Sequence, residues 1–374
     1  NNWSLSTNDG VNLLKPGVTA SDNVQFLIFL AALIKAVDIH ADVLRATCAS
    51  AGNDHRLGAN EAPPAIISIF MGDELTEILE NIAAGKKNSS KDAQYINVGV
   101  DTLPKFPKDN TDRNRTSPFA FTGDKFEFRM VGSAQSIAGV NVALNTIAAE
   151  AFDEIATRLE KAKDINAEAT AIIQEILKKH SRILFNGDNY TDTWLKEAEK
   201  RGLPNARNAV DALKAFVTPK ALKLFEKYEV LSNKELHSRF EIYIETYSKQ
   251  INIEAMTAID MAKRQILPAG IDYMTSLAES SITCKGAGVT APVQEDLMKK
   301  VSALLASIYK SLTKLEGAAA KAKKISSSVK QAEAYRDSIV PVMQALRADV
   351  DALELLVPAD MWPIPTYADL LFKL

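Results

Sequence analysis

Apolar positions recur at helical spacing along most of this sequence, and alternate in short runs only before residue 150. The clearest helical stripe is Leu297, Val301, Leu304, Leu305, Ile308, Leu312 and Leu315, three or four residues apart within 292–315. A buried helix is predicted over about 21–46, with Ser21 or Asp22 as N-cap. Ser232 and Glu235 form a capping-box pattern that opens a helix running toward Ile266, where Pro268 and Gly270 should stop it. A further helix is expected from about Ser326 to Leu356, kinked or broken at Pro341. Val357-Pro358 and Trp362-Pro363-Ile364-Pro365 cannot remain helical and should lie extended. No repeat at a solenoid period is present.

The first 150 residues have a mixed texture, and a boundary there divides the chain into 1–150 and 151–374. Pro63-Pro64 reads as a turn and Gly85 to Lys91 as a surface loop. Tyr95–Val100, Phe119–Phe121 and Lys125–Met130 read as short strands. In the last of these, charged and apolar residues alternate strictly. A strand then carries Lys125, Glu127 and Arg129 on one face and Phe126, Phe128 and Met130 on the other.

Composition narrows the function classes. The 374 residues are 47% apolar and 24% charged, a globular balance with room for two or three domains. A net charge of -3 gives no basic excess for nucleic acid or an anionic membrane. The longest apolar run, Phe26 to Ile34, is too short to span a bilayer and is closed by Lys35. Cys48 and Cys284 lie far apart and suggest neither a disulfide framework nor a zinc cluster, which favours a reducing, cytoplasmic setting. The opening NNWSLSTNDG has no initiator Met, so further sequence is expected upstream.

Candidate chemistry gathers in three segments. Lys125, Glu127 and Arg129 form either a charge-paired surface face, which the pattern alone favours, or a strand lining a site. Arg56 and Glu61 fall in a Gly/Asn/Pro-containing stretch read as a loop, where an arginine fork can grip a carboxylate ligand. Arg113 and Arg115 precede a strand and suit phosphate. His40 and His180 are expected in core or surface roles within helices, and His55 and His237 are unassigned. Lys321, Lys323, Lys324 and Lys330 read as a solvated helix face.

In this order the segments resemble glutamine synthetase: Arg56 followed by Glu61-Ala62-Pro63, then Asn114-Arg115-Thr116, then Glu127-Phe128-Arg129. RLGANEAPPAIISIF, NRTSPFAFTGDKFEFRMVGSAQS and the long helical C-terminal region are similar to the type III branch. The opening Asn1-Asn2-Trp3-Ser4-Leu5 looks like the stretch following that family's metal-binding His. The resemblance implies an α+β, predominantly α fold: the C-terminal portion of a catalytic domain, then a long-helix bundle. It implies ATP-dependent ligation of ammonium to glutamate through γ-glutamyl phosphate, with Mg²⁺ or Mn²⁺, in a ring-forming homo-oligomer, a dodecamer. Arg56 and Arg129 would then hold substrate carboxylate or transferred phosphate, and Glu61 would sit on a flap shielding the intermediate. Arg115 and Lys125 would neutralise ATP phosphates, Glu127 would ligate a metal, and Asn2 and Ser4 would line the nucleotide pocket. Two positions depart from the commonest bacterial pattern: Ala120 and Lys125 stand where arginines are usual. The family's remaining metal ligands and its β-grasp domain would precede Asn1, so the chain alone is expected to be inactive. The competing class is a helical assembly region with no chemistry of its own.

Overall fold

The structure is a computed structural model that describes residues 1–59, 62–86, 95–96, 106–107, 115–365 and 367–371. The chain forms two compact units, Asn1–Phe240 and Glu241–Leu374. The first contains helices α1 (Val24–Ala46), α2 (Ala51–Arg56), α3 (Asp73–Ala83), α4 (Ala138–Leu159), α5 (Ile165–His180), α6 (Asp192–Lys200), α7 (Ala209–Leu213) and α8 (Pro219–Lys227). α1 is buried on nearly all sides, from Phe26 and Leu30 to Val43 and Leu44, and packs against α4 and α5. Residue 150 therefore lies within a continuous helix of this unit, and the compact units divide elsewhere. Asn23 caps α1 by accepting the Phe26 N–H at 3.0 Å. Ser21 and Asp22, the caps expected from sequence, fall two and one residues early, in a 3₁₀ segment, Ala20–Asp22.

The sheet of this unit has four short strands: β1 (Asn2–Trp3), β2 (Ile69–Phe70), β5 (Phe119–Phe121) and β6 (Phe126–Phe128), in the order β1-β6-β5-β2. β6 pairs antiparallel with β1 and β5, whereas β2 runs parallel to β5. β3 (Tyr95–Ile96) and β4 (Phe106–Pro107) pair separately, and residues 97–100 of the expected strand lie outside the described residues. The predicted alternation holds: Phe126, Phe128 and Met130 are buried, while Glu127 and Arg129 keep partial access to water. Phe119 stacks on Phe126 with centroids 4.5 Å apart, and Phe121 lies edge-on to Phe126 at 5.3 Å. Burying each such ring stabilises the unit by about 2–3 kcal/mol. One helix secures the sheet's edge. Asn1 Nδ2 and Trp3 Nε1 donate to Asn141 and Asn145, one turn apart on α4, each at 2.9 Å.

The buried histidines hold this unit together. His40 meets Glu150 at 2.6 Å, and His180 meets Asp38 at 2.8 Å, where Arg182 also binds. Asp38 thus ties α1 to the end of α5. His237 is exposed, with its ring against the Asn233 carbonyl.

The chain passes into the second unit along α9 (Asn233–Met261), whose start shows the expected capping box. Glu235 accepts from Ser232 N–H at 2.8 Å, and the Ser232 hydroxyl accepts from Glu235 N–H at 3.3 Å. The expected stop at Pro268 does not occur. A π-turn, Ala262–Ile266, carries the helix directly into α10 (Leu267–Gly286), with Pro268 in its first turn. The same device recurs at Pro341. α12 (Ser328–Ala334) continues through a π-turn, Tyr335–Ile339, into α13 (Val340–Glu354). Each proline lies two residues past its wide turn. Proline lacks an N–H and clashes with the carbonyl four residues back, and the i→i+5 turn relieves both faults without ending the helix. Gly270 also has a role other than stopping: a Cβ there would lie 2.7 Å from Leu305 Cδ2 and 3.1 Å from Leu353 Cδ2. It admits the close crossing of α10 with α11 (Pro292–Ala322), with the Leu353 side chain of α13 alongside.

The predicted stripe on α11 is covered within this unit. Val301, Leu305, Ile308, Leu312 and Leu315 are buried, and Leu297 and Leu304 half-buried. Lys321, Lys323, Lys324 and Lys330 are exposed. The chain leaves helix after α13, burying Val357 and Trp362, before a last short helix, α14 (Tyr367–Leu371). Among the described residues no helix is long and apolar enough to cross a membrane.

Candidate active site

On β6 the pleat sends Glu127 away from the phenylalanine core, and register places it between Asn2 of β1 and Ala120 of β5. Two residues on, Arg129 emerges on the same side. Its Nη2 donates to Glu127 Oε2 at 2.8 Å and its Nη1 to the Ser117 carbonyl at 3.2 Å. Both side chains are about one-fifth exposed, 19% for Arg129 and 20% for Glu127.

Arg56 comes to this place from α2 and not from a loop, as its Gly- and Asn-rich surroundings led us to expect. Ser50 caps the helix by accepting the Asn53 N–H at 3.2 Å. The helix ends at Leu57, and Gly58 turns the chain at φ +78°. Arg56 Nη2 donates to the Arg129 carbonyl at 2.9 Å, and Nη1 to the Met130 carbonyl at 3.1 Å and Asn53 Oδ1 at 3.3 Å. These bonds employ three of the five N–H groups of the guanidinium and fix its plane against the backbone that follows β6.

A cavity of about 380 Å³ opens here, lined by Asn1, Asn2, Arg56, Pro63, Arg115, Glu127, Phe128, Arg129 and Val131. Five residues singled out from sequence therefore meet: Asn2, Arg56, Arg115, Glu127 and Arg129. Ser4 and Lys125 lie outside this lining. The Ser4 hydroxyl donates to the Asp124 carbonyl at 2.7 Å, and Lys125 pairs with Asp124 at 3.4 Å. Glu61 and Asn114 lie outside the described residues. His55 is exposed on α2. Sequence reasoning missed Asn53 and Gln135, which are bound to the same backbone. The available signal was Asn53 one helical turn before Arg56.

The charged side chains of the described lining residues are three guanidinium groups against one carboxylate, and the Asn1 ammonium, donating to the Phe128 carbonyl at 3.0 Å, adds a fourth cation. In a concave, partly desolvated site this attracts anions, and planar forks match carboxylate and phosphate oxygens in bidentate fashion. A divalent cation is a different matter. Among the described residues no group of three or more His, Cys, Asp or Glu could hold one, and Glu127 is already engaged by Arg129. These residues alone do not fit a metal centre.

Comparison with known proteins shows similarity along the whole chain. A type-3 glutamine synthetase of Dictyostelium discoideum is 41% identical over the whole chain, which covers 52% of that protein. The chain is similar to proteins named glutamine synthetase along its whole length. A glutamine synthetase of Butyrivibrio fibrisolvens is 38% identical and one of Bacteroides fragilis (strain YCH46) 34%; the chain covers 54% and 53% of them. The chain spans about half the length of the curated relatives it matches. The family model described as glutamine synthetase C-terminal domain matches residues 168–285, which run from α5 to the end of α10. None of the cavity-lining residues falls in that span, so similarity at the cavity rests on the whole-chain comparisons.

Proposed function

We propose that this chain supplies the anion-holding part of a glutamine synthetase active site, which ligates ammonium to glutamate at the expense of ATP. The observation that carries this is the convergence of Arg56, Arg115 and Arg129 on one cavity, together with whole-chain similarity to enzymes named glutamine synthetase. Phosphoryl transfer from ATP to the γ-carboxylate brings two anions together and shifts negative charge onto the departing ADP as the acyl phosphate forms. Fixed guanidinium groups lower that barrier because they are already oriented where charge develops. Arg129, held by Ser117 and Glu127, and Arg56, held by the backbone of 129 and 130, are pre-positioned in this sense. Either can take a carboxylate or a phosphoryl oxygen without first losing side-chain freedom. Arg115, at the exposed rim, suits the ATP phosphates, and Asn2 the nucleotide side of the pocket.

Mg²⁺ or Mn²⁺ would screen the phosphates when bound, but the described residues do not form its site. The remaining metal ligands belong to groups beyond them. Glu61 stays our choice for the shielding flap on the family resemblance alone. The roles suggested for Ser4 and Lys125 require movement of the Asp124 turn. The division into a catalytic-domain part, 1–150, and a helical extension, 151–374, is a proposal about descent, and so are the homo-oligomeric ring and the cytoplasmic setting. Since the matched span 168–285 contributes nothing to the cavity, we assign the extension to assembly.

The test is glutamine formation from glutamate, ammonium and ATP by the protein that carries this chain, as wild type and as Arg129→Ala. Loss of a fixed, partly buried fork should lower kcat/KM by on the order of a hundredfold or more. Turnover near wild type in the variant would remove Arg129 from the site.

A further inference from the structure

The cavity's two inner arginines are joined through a residue that touches no ligand space. Asn53 on α2 is 2% exposed and sits behind Arg56. Its Nδ2 faces three acceptors: the Cys48 carbonyl at 2.7 Å, the Met130 carbonyl at 2.8 Å and Gln135 Oε1 at 3.1 Å. Two N–H groups are shared among three oxygens, so only the nitrogen end of the amide can occupy this position. The other end, Oδ1, accepts from Arg56 Nη1 at 3.3 Å. Gln135 Oε1 also accepts the Gly132 N–H at 2.9 Å, and a Cβ at Gly132 would stand 3.2 Å from Asn53 Oδ1. One buried amide thus grips the end of α1, the backbone leaving β6 and the guanidinium of Arg56.

We infer that Asn53 is a positioning residue, which sets Arg56 and the 129–132 backbone as a single preformed anion clamp. This rests on the function proposed above for that cavity, but the geometry is independent of the ligand. Without Asn53, Arg56 loses an acceptor and Met130 one of two donors. Helix α2 could then rotate relative to the strand, and the two forks would no longer converge. Aspartate at this position would place an oxygen against three others, so the site demands the amide.

Two measurements on the 374-residue chain test this. The first needs no ligand: side-chain ¹⁵N NMR of arginines. The Arg56 guanidinium N–H signals should be protected from water exchange in wild type and lose that protection in Asn53→Ala. Unchanged protection would overturn the inference. The second is calorimetric titration with inorganic pyrophosphate at low salt, using wild type, Asn53→Ala, Arg56→Ala and the double variant. Losing buried hydrogen bonds behind the fork should weaken binding about tenfold in Asn53→Ala. The double variant should bind within about twofold of Arg56→Ala, because coupled residues are not additive. A further tenfold loss in the double variant would mean general damage to the fold and would overturn the positioning role. If Asn53→Ala fails to fold by circular dichroism, Gln135→Met removes one of the three acceptors that hold the Asn53 amide, at a half-buried position, and both measurements are judged on it instead, with the same changes expected in smaller measure. Absence of saturable pyrophosphate binding in wild type would instead refute the anion site itself, while the NMR result would still decide whether Asn53 fixes Arg56.

Discussion

Glu127 and Arg129 face the same side of one strand with 2.8 Å between carboxylate and guanidinium. The pair is half-hidden, so the carboxylate has two effects: it orients Arg129 and it cancels part of the cavity's positive charge. Glu127→Gln keeps an acceptor for Arg129 while removing the negative charge. Pyrophosphate should then bind the metal-free chain more tightly, by roughly three- to tenfold at low ionic strength, the gain shrinking as salt rises. Calorimetry at two salt concentrations checks this. Weaker binding in the variant would mean that orientation, not charge, is the carboxylate's main contribution.

Asp54, next to the bracing Asn53, gives the first unit a pH dependence. Burial pushes its carboxyl up from 3.8 to about 6, against the opposing effects of the Ala209 backbone hydrogen bond and Arg45. A raised folded value means that the native state holds the proton more tightly than the unfolded chain. The sign follows: stability is greatest below about pH 4 as far as this group is concerned, and declines as pH climbs through about 6. Asp54→Asn removes the cost of the buried charge and can still accept from Ala209. The variant should gain on the order of 1–2 kcal/mol at pH 8 and nothing at pH 4 in urea unfolding. An equal gain at both pH values would assign the effect to packing.

Gly270 is a packing glycine, which yields a prediction opposite to simple helix propensity. Alanine in a helix interior gains about 1 kcal/mol over glycine. Here its methyl would strike Leu305 and Leu353 together, at 2.7 and 3.1 Å, and overpacking costs about 1–3 kcal/mol. Gly270→Ala should therefore lower the second unit's melting temperature. Combining it with Leu305→Ala should show a favourable coupling, the methyl filling part of the space vacated. A higher melting temperature for the single variant would show that the helices can separate without loss.

Much of this was legible in the sequence because it depended on local periodicity. The Lys125–Met130 alternation gave the strand and its two faces, the α11 stripe gave a buried helix face, and Ser232 with Glu235 gave a helix start. Pro268 misled because proline's exclusion from helices is a rule about regular α-turns, and a π-turn in front of it suspends the rule; at Pro341 the expected interruption takes the form of the same π-turn. Gly270 misled because a glycine's reason can lie on a neighbouring helix, invisible along the chain. Arg56 was found but misplaced, since six residues, Ala51–Arg56, are too few to show a period. Asn53 was missed entirely: a buried amide announces itself by its partners, and two of its four, Met130 and Gln135, are 77 and 82 residues away.

The central claim is that Arg56, Arg115 and Arg129 form one anion site, and its most direct measurement is pyrophosphate affinity of the chain with each arginine replaced by alanine in turn. Wild type should bind pyrophosphate saturably at one site per chain. Arg56→Ala and Arg129→Ala should each lose about tenfold or more, since each removes a pre-positioned fork. Arg115→Ala, at the exposed rim, should lose about threefold and flatten the salt dependence. Equal affinity across wild type and all three variants would contradict the account, because it would place whatever binds the anion somewhere other than this cavity.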